Sequence, residues 1–119
     1  MLTGADFQDT IARASCLVDV HGSQDDGRGD YCTLKKSYGI PYRSLTIDTI
    51  RNLIVTGRPI SVDHTAHLSL RRMDPGFALG EAAGVAATLA IRSGDVRSVS
   101  VSDLQRKLED YGAILAPEQ

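Results

Sequence analysis

The stretch from Ile40 to Ala90 constrains this chain more than any other. An apolar run, Asn52-Leu53-Ile54-Val55-Thr56, ends in Gly57-Arg58. A polar loop follows, carrying His64, His67, Arg71 and Arg72, and then a glycine- and alanine-rich segment. Leu53 to Thr56 has the pattern of a short strand covered on both faces. Pro75 to Arg92 reads as a helix, with Asp74 at its N-cap and Pro75 opening its first turn. Gly94 stops that helix, with Arg92 in its last turn. Strand, polar loop and smooth helix in that order predict an α/β fold, a short sheet with flanking helices.

The rest of the chain adds elements around this centre. Residues 3–18 predict a helix capped by Asp6, with Phe7, Ile11 and Ala14 on one face. Residues 22–30, GSQDDGRGD, read as a polar surface turn. They lack the regular ligand spacing and closing Glu of a calcium loop. Tyr31–Leu34 and Tyr38–Leu45 predict two strands around Lys35-Lys36-Ser37, and Ile40-Pro41 puts the second at an edge. Thr49–Arg51 reads as a turn. Ser102 and Gln105 have capping-box spacing for a last helix, with an apolar stripe of Leu104, Leu108 and Tyr111 and a stop at Gly112.

Composition excludes several classes. A formal net charge of −2 over 119 residues argues against nucleic-acid binding, which needs a basic face. Two cysteines, Cys16 and Cys32, are too few for a disulfide scaffold or a zinc site, so a reducing, cytoplasmic setting is expected. Cys16 reads as a buried structural thiol. The apolar stretch Phe77–Ile91 contains Glu81 and is too short for a membrane span. No basic region followed by an apolar run marks a signal peptide. Neither GxSxG nor a P-loop occurs.

Gly76, Gly80 and Gly84 recur every fourth residue and share one helix face, widened by Ala83 and Ala87. Each interior glycine costs about 1 kcal/mol against alanine, so close approach of another backbone or of a ligand is the physical reason for them. Helix–sheet packing and ligand contact account for that spacing equally well. The helix N-terminus attracts negative charge, and Asp74 competes for the same N–H groups. His64 suits proton transfer near neutral pH, or simply a bond to loop backbone. A metal held by His64 and His67 lacks an evident third ligand. Arg43, Arg58, Arg71 and Arg72 form a cationic set able to clamp a carboxylate or phosphate. Asp19 and His21 read as an acid–base couple or, more commonly, a turn-stabilising pair.

Read together, these segments resemble the C-terminal part of the FAD-dependent oxidoreductases with a split dinucleotide-binding fold. Ile40-Pro41-Tyr42-Arg43-Ser44-Leu45 leads into Asn52-Leu53-Ile54-Val55-Thr56-Gly57-Arg58, then Ile60-Ser61 and His64. Arg71 and Met73 fall in step, and Ala78-Leu79-Gly80, Ala82-Ala83-Gly84 and Ala86-Ala87 complete the series. Asp19-Val20-His21 resembles the family's Asp-x-His stretch, and residues 103–115 its closing helix. The resemblance spans nearly the whole chain, and its specificity lies in the ordered set. It implies a partial Rossmann-like fold over residues 1–119, a single domain or fragment with FAD as cofactor. It places Gly57, Arg58, Gly76, Phe77, Ala78 and Gly80 beside the flavin, and His64, Arg43 and Arg71 on the side of a small-molecule substrate. The family's N-terminal GxGxxG unit, which holds the pyrophosphate, is not in this sequence. Asp74-Pro75-Gly76 replaces the usual Pro-Thr-x lead, and Leu68 stands where the family tends to have glycine. The expectation is therefore a chain inactive alone, with weak FAD affinity. It would be completed by an N-terminal FAD-binding half or would self-associate through Leu53–Val55 and the Gly76–Ala90 helix. The alternative is a non-catalytic association module that kept the fold.

Overall fold

The computed structural model describes residues 5–15 and 36–117 in full, and the backbone of 18–20 and 30–32. Strand β1 (Thr10–Ala14) pairs antiparallel with β4 (Tyr38–Pro41), and β2 (Val18–Val20) with β3 (Asp30–Cys32). A 3₁₀ turn (Tyr42–Leu45) then leads into the hairpin of β5 (Thr46–Ile47) and β6 (Ile50–Ile54). Three helices follow: α1 (His64–Leu70), α2 (Met73–Ala90) and α3 (Val101–Asp110), with a 3₁₀ turn at Val96–Ser98.

Over the described residues 5–15, the predicted helix over 3–18 is instead a turn and a strand. The threonine of β1 closes the turn on itself: Phe7 N–H donates to Thr10 Oγ1 at 3.1 Å, and Thr10 Oγ1 donates to Phe7 O at 2.8 Å. Asp6 does not cap a helix but pairs with Arg13. The spacing of Phe7, Ile11 and Ala14 imitated a helical face. The register shifts at a bulge between Thr10 and Ala12, and Thr10, Ile11 and Ala12 are all buried, as in a strand covered on both faces. Gly39 of β4 makes this crossing possible: a Cβ there would lie 2.4 Å from Thr10 Oγ1.

The mixed α/β class holds, but the single short sheet does not. Three separate two-stranded antiparallel ladders take its place among the described residues. A Rossmann-like parallel sheet needs helical crossovers between strands, and here every described strand precedes the first helix. The predicted strand over Tyr38–Leu45 keeps its pairing only to Pro41. Part of the predicted turn at Thr49–Arg51 belongs to β6. The strand expected over Leu53–Thr56, covered on both faces, is instead part of β6 only to Ile54; Leu53 is exposed and Ile54, Val55 and Thr56 are half-buried. The 22–30 loop, Cys16 and His21 lie outside the described residues.

Helix α2 organises the core. Pro75, Leu79, Ala82, Ala86 and Ala90 form its buried face, packed on β1 and α3. Leu104 and Leu108 of α3 complete that layer. Their alanine partners keep the helix close to the strands, a spacing that bulkier side chains would widen. The α2 N-cap is Arg72, two residues before the expected Asp74, which lies in the first turn. Pro75 still falls within that turn, where its missing N–H leaves nothing unsatisfied. Gly94 ends this region at φ 69°, a left-handed conformation that favours glycine. The α3 cap is Ser100, whose side chain accepts from Asp103 N–H, and not Ser102. Gln105 is no capping-box partner: its Nε2 donates to Gln8 O and Thr10 O, both at 2.9 Å. Leu104 and Leu108 are buried, but Tyr111 is exposed.

Candidate functional site

The polar loop after Gly57 contains a helix that the sequence reading missed. Asp63 Oδ1 accepts from Ala66 N–H at 2.9 Å and caps α1. His64 and His67 therefore sit three residues apart on one short helix. His64 is exposed at its first position. His67 Nε2 bonds to Arg58 O at 2.9 Å, so its ring ties α1 back to the Gly57-Arg58 turn. Gly57 makes that turn at φ 73°. No group of three or more His, Cys, Asp or Glu able to hold a metal occurs among the described residues.

A cleft of about 340 Å³ opens between β4, the 3₁₀ turn after it and α1. Two sequence segments some twenty positions apart converge on it. Ile40, Pro41, Arg43 and Ser44 form one wall, and Ser61, Val62, Asp63 and Ala66 the other. Ser61 N–H donates to Ser44 O at 3.3 Å and joins the walls. The segment Ala5–Asp9 straps across the opening, with Ala5 and Phe7 in the lining. Gly39 N–H donates to Ala5 O at 2.9 Å, and Tyr42 N–H to Asp9 O at 2.7 Å.

Arg43 stands where strap and cleft meet. Its Nη1 pairs with Asp9 Oδ1, and its backbone N–H donates to Asp9 Oδ2 at 3.2 Å. Its guanidinium lies 4.9 Å from the centre of the Phe7 ring, a cation–π contact. Its side chain nevertheless remains 62% exposed, while that of Asp9 is 16% exposed. Tyr42, beside it in sequence, points the other way and donates its hydroxyl to Val96 O at 2.7 Å inside the core.

The predicted site residues divide accordingly. Arg43 lines the cleft; His64 and Arg71, at the two ends of α1, do not. Arg58 and Arg72 are exposed elsewhere, so the four arginines form no single clamp. None of Gly57, Arg58, Gly76, Phe77, Ala78 and Gly80 lines this cleft. Gly76, Phe77, Ala78 and Gly80 belong to α2, where Ala78 packs against the core and Phe77 is 73% exposed. Asp9 and Asp63 were not read as site residues in the sequence, and Ser44 and Ser61 entered only as positions of the ordered motif. Asp63 had a readable signal, an N-cap residue three positions before Ala66 in front of a helical spacing of His67 and Leu70. Asp9 had none, because its partner is distant in the chain.

The outer face of α2 is the second candidate surface. Met73, Phe77, Gly80, Gly84, Ala87 and Ile91 follow one another at intervals of three and four residues, and all are exposed. Met73 is 74% and Ile91 80% exposed. A Cβ built on Gly76, Gly80 or Gly84 meets nothing within 4 Å. Helix–sheet packing among the described residues therefore does not account for the glycines.

The family described as FAD dependent oxidoreductase matches residues 1–108. The chain belongs to that family. No curated protein and no solved structure matches it. The oxidoreductases of this family depend on FAD, but no complete FAD site is present among the described residues. The cleft has the size of a small-molecule pocket, large enough for one ring system and not for a whole dinucleotide. The open glycines of α2 fit close approach by a flat ring or a backbone, whereas no described element resembles a pyrophosphate cradle. No helix among the described residues is long and apolar enough to cross a membrane.

Proposed function

We propose that the chain supplies the C-terminal, flavin-facing part of an FAD-dependent oxidoreductase and works only with an N-terminal FAD-binding half. One observation carries this reading: Gly80 and Gly84 are exposed, Gly76 is half-buried, an added Cβ at any of the three meets nothing within 4 Å, and the opposite face of α2 is buried. Interior glycines weaken a helix by about 1 kcal/mol each, so a surface that keeps them open is suited to something that comes close. FAD, when bound, supplies the hydride- or electron-accepting chemistry. Gly57, Arg58 and the first turns of α2, with Gly76, Phe77, Ala78 and Gly80, contribute the flavin-side surface. The cleft at Arg43 is the substrate side, with His64 and Arg71 on the neighbouring helix α1.

The exposed stripe also supports a second reading, a non-catalytic module that associates through α2. A visible absorption spectrum separates the two. The chain is mixed with FAD, alone and with an N-terminal FAD-binding half supplied in trans. A flavin band shift that needs both parts supports the oxidoreductase reading. A shift with the chain alone contradicts the need for a second half. No shift in either mixture favours the association module.

A further inference from the structure

We propose that the cleft at Arg43 takes a small organic anion with one carboxylate and an apolar body, and that Asp9 is the residue that positions Arg43 to receive it. This rests on the reading of the cleft as the substrate-side site. The guanidinium is fixed from two directions, by the Asp9 carboxylate and by the Phe7 ring. Asp9 uses one oxygen for the Arg43 backbone and the other for Nη1. The remaining N–H groups of the guanidinium have no partner among the described residues, and the side chain is mostly exposed at the cleft rim. A planar guanidinium held in this way presents a ready edge to a carboxylate. The Ser44 and Ser61 hydroxyls, in the same lining, are further donors.

The rest of the cleft sets the ligand's other end. Ile40, Val62 and Leu70 supply an apolar wall. Asp63 lies on the α1 side, its carboxylate committed to capping that helix. A second anionic group on the ligand would face it and be repelled. The cleft therefore selects a single-headed anion over a dianion.

Calorimetric titration of the full chain with benzoate, benzamide and terephthalate tests this. Saturable benzoate binding, about tenfold or more tighter than neutral benzamide, is expected, the difference made by one charged hydrogen bond. Terephthalate is expected to bind more weakly than benzoate. Arg43→Gln is expected to weaken benzoate about tenfold or more without unfolding the chain, because that side chain is largely exposed. Asp9→Asn is expected to weaken it several-fold through loss of orientation, even though a nearby negative charge is removed. Equal binding of benzoate and benzamide, tighter binding of terephthalate, or no effect of Arg43→Gln would overturn the proposal. A rise in benzoate affinity in Asp9→Asn would show Asp9 competing with the ligand and would overturn its positioning role. Flavin recruitment with the N-terminal half but no benzoate binding would overturn this proposal alone and leave the family role standing.

Discussion

Tyr42, a residue of the family-like motif, and Asp95 near it serve the fold. The Tyr42 phenol is pushed up to about 12, first by burial and second by the nearby Asp95 charge. Its hydroxyl is needed protonated to donate to Val96 O. A raised folded value means that this stabilisation is present below pH 10 and is lost as pH rises through about 12. Tyr42→Phe is expected to cost about 1 kcal/mol at neutral pH and to flatten the alkaline limb of a pH–stability curve. Asp95 behaves oppositely. Hydrogen bonds from the Arg97 side chain and backbone hold its carboxyl down to about 2. Its stabilisation is complete above pH 3.8 and fades as pH falls through about 2. Acid titration of Asp95→Asn, followed by circular dichroism, is expected to lack that step. Arg43 was legible as a candidate from its residue type. Its partner Asp9 was not, since 34 positions separate them.

At the scale of elements, periodicity served where local chemistry agreed with packing. Helices α2 and α3 were legible because glycine stops and helical spacing point the same way, although each N-cap lies two residues before the one expected. Strand β1 was not, because three apolar residues imitated a helical face while pairing with β4 decided the outcome. Helix α1 was missed because it spans only seven residues, too short for periodicity to show, and its one readable signal was the Asp63 cap. Ser100→Ala is expected to cost about 1 kcal/mol by removing the α3 cap, and Ser102→Ala much less, as denaturant midpoints would show. On α2, Gly80→Ala is expected to stabilise the isolated chain by about 1 kcal/mol, since the added methyl meets nothing. A thermal melt showing marked destabilisation would mean that this face is packed in solution.

For the molecule as a whole, the open α2 face and the cleft at Arg43 are features that the core of the described residues does not explain. The ordered motifs made the family legible in the sequence. How the parts assemble was not legible, because antiparallel ladders, the strap Ala5–Asp9 and the exposure of β6 depend on long-range pairing. The central claim is that α2 keeps its glycine face open for a flavin-binding partner half. The most direct test compares flavin recruitment, read by visible absorption with the N-terminal half present, between the wild-type chain and Gly80→Leu with Gly84→Leu. A Cβ at either position meets nothing within 4 Å, and circular dichroism of the double variant checks that it folds like the wild type. The account predicts a shifted flavin band with the wild type that the double variant loses. An equal shift in both would contradict it.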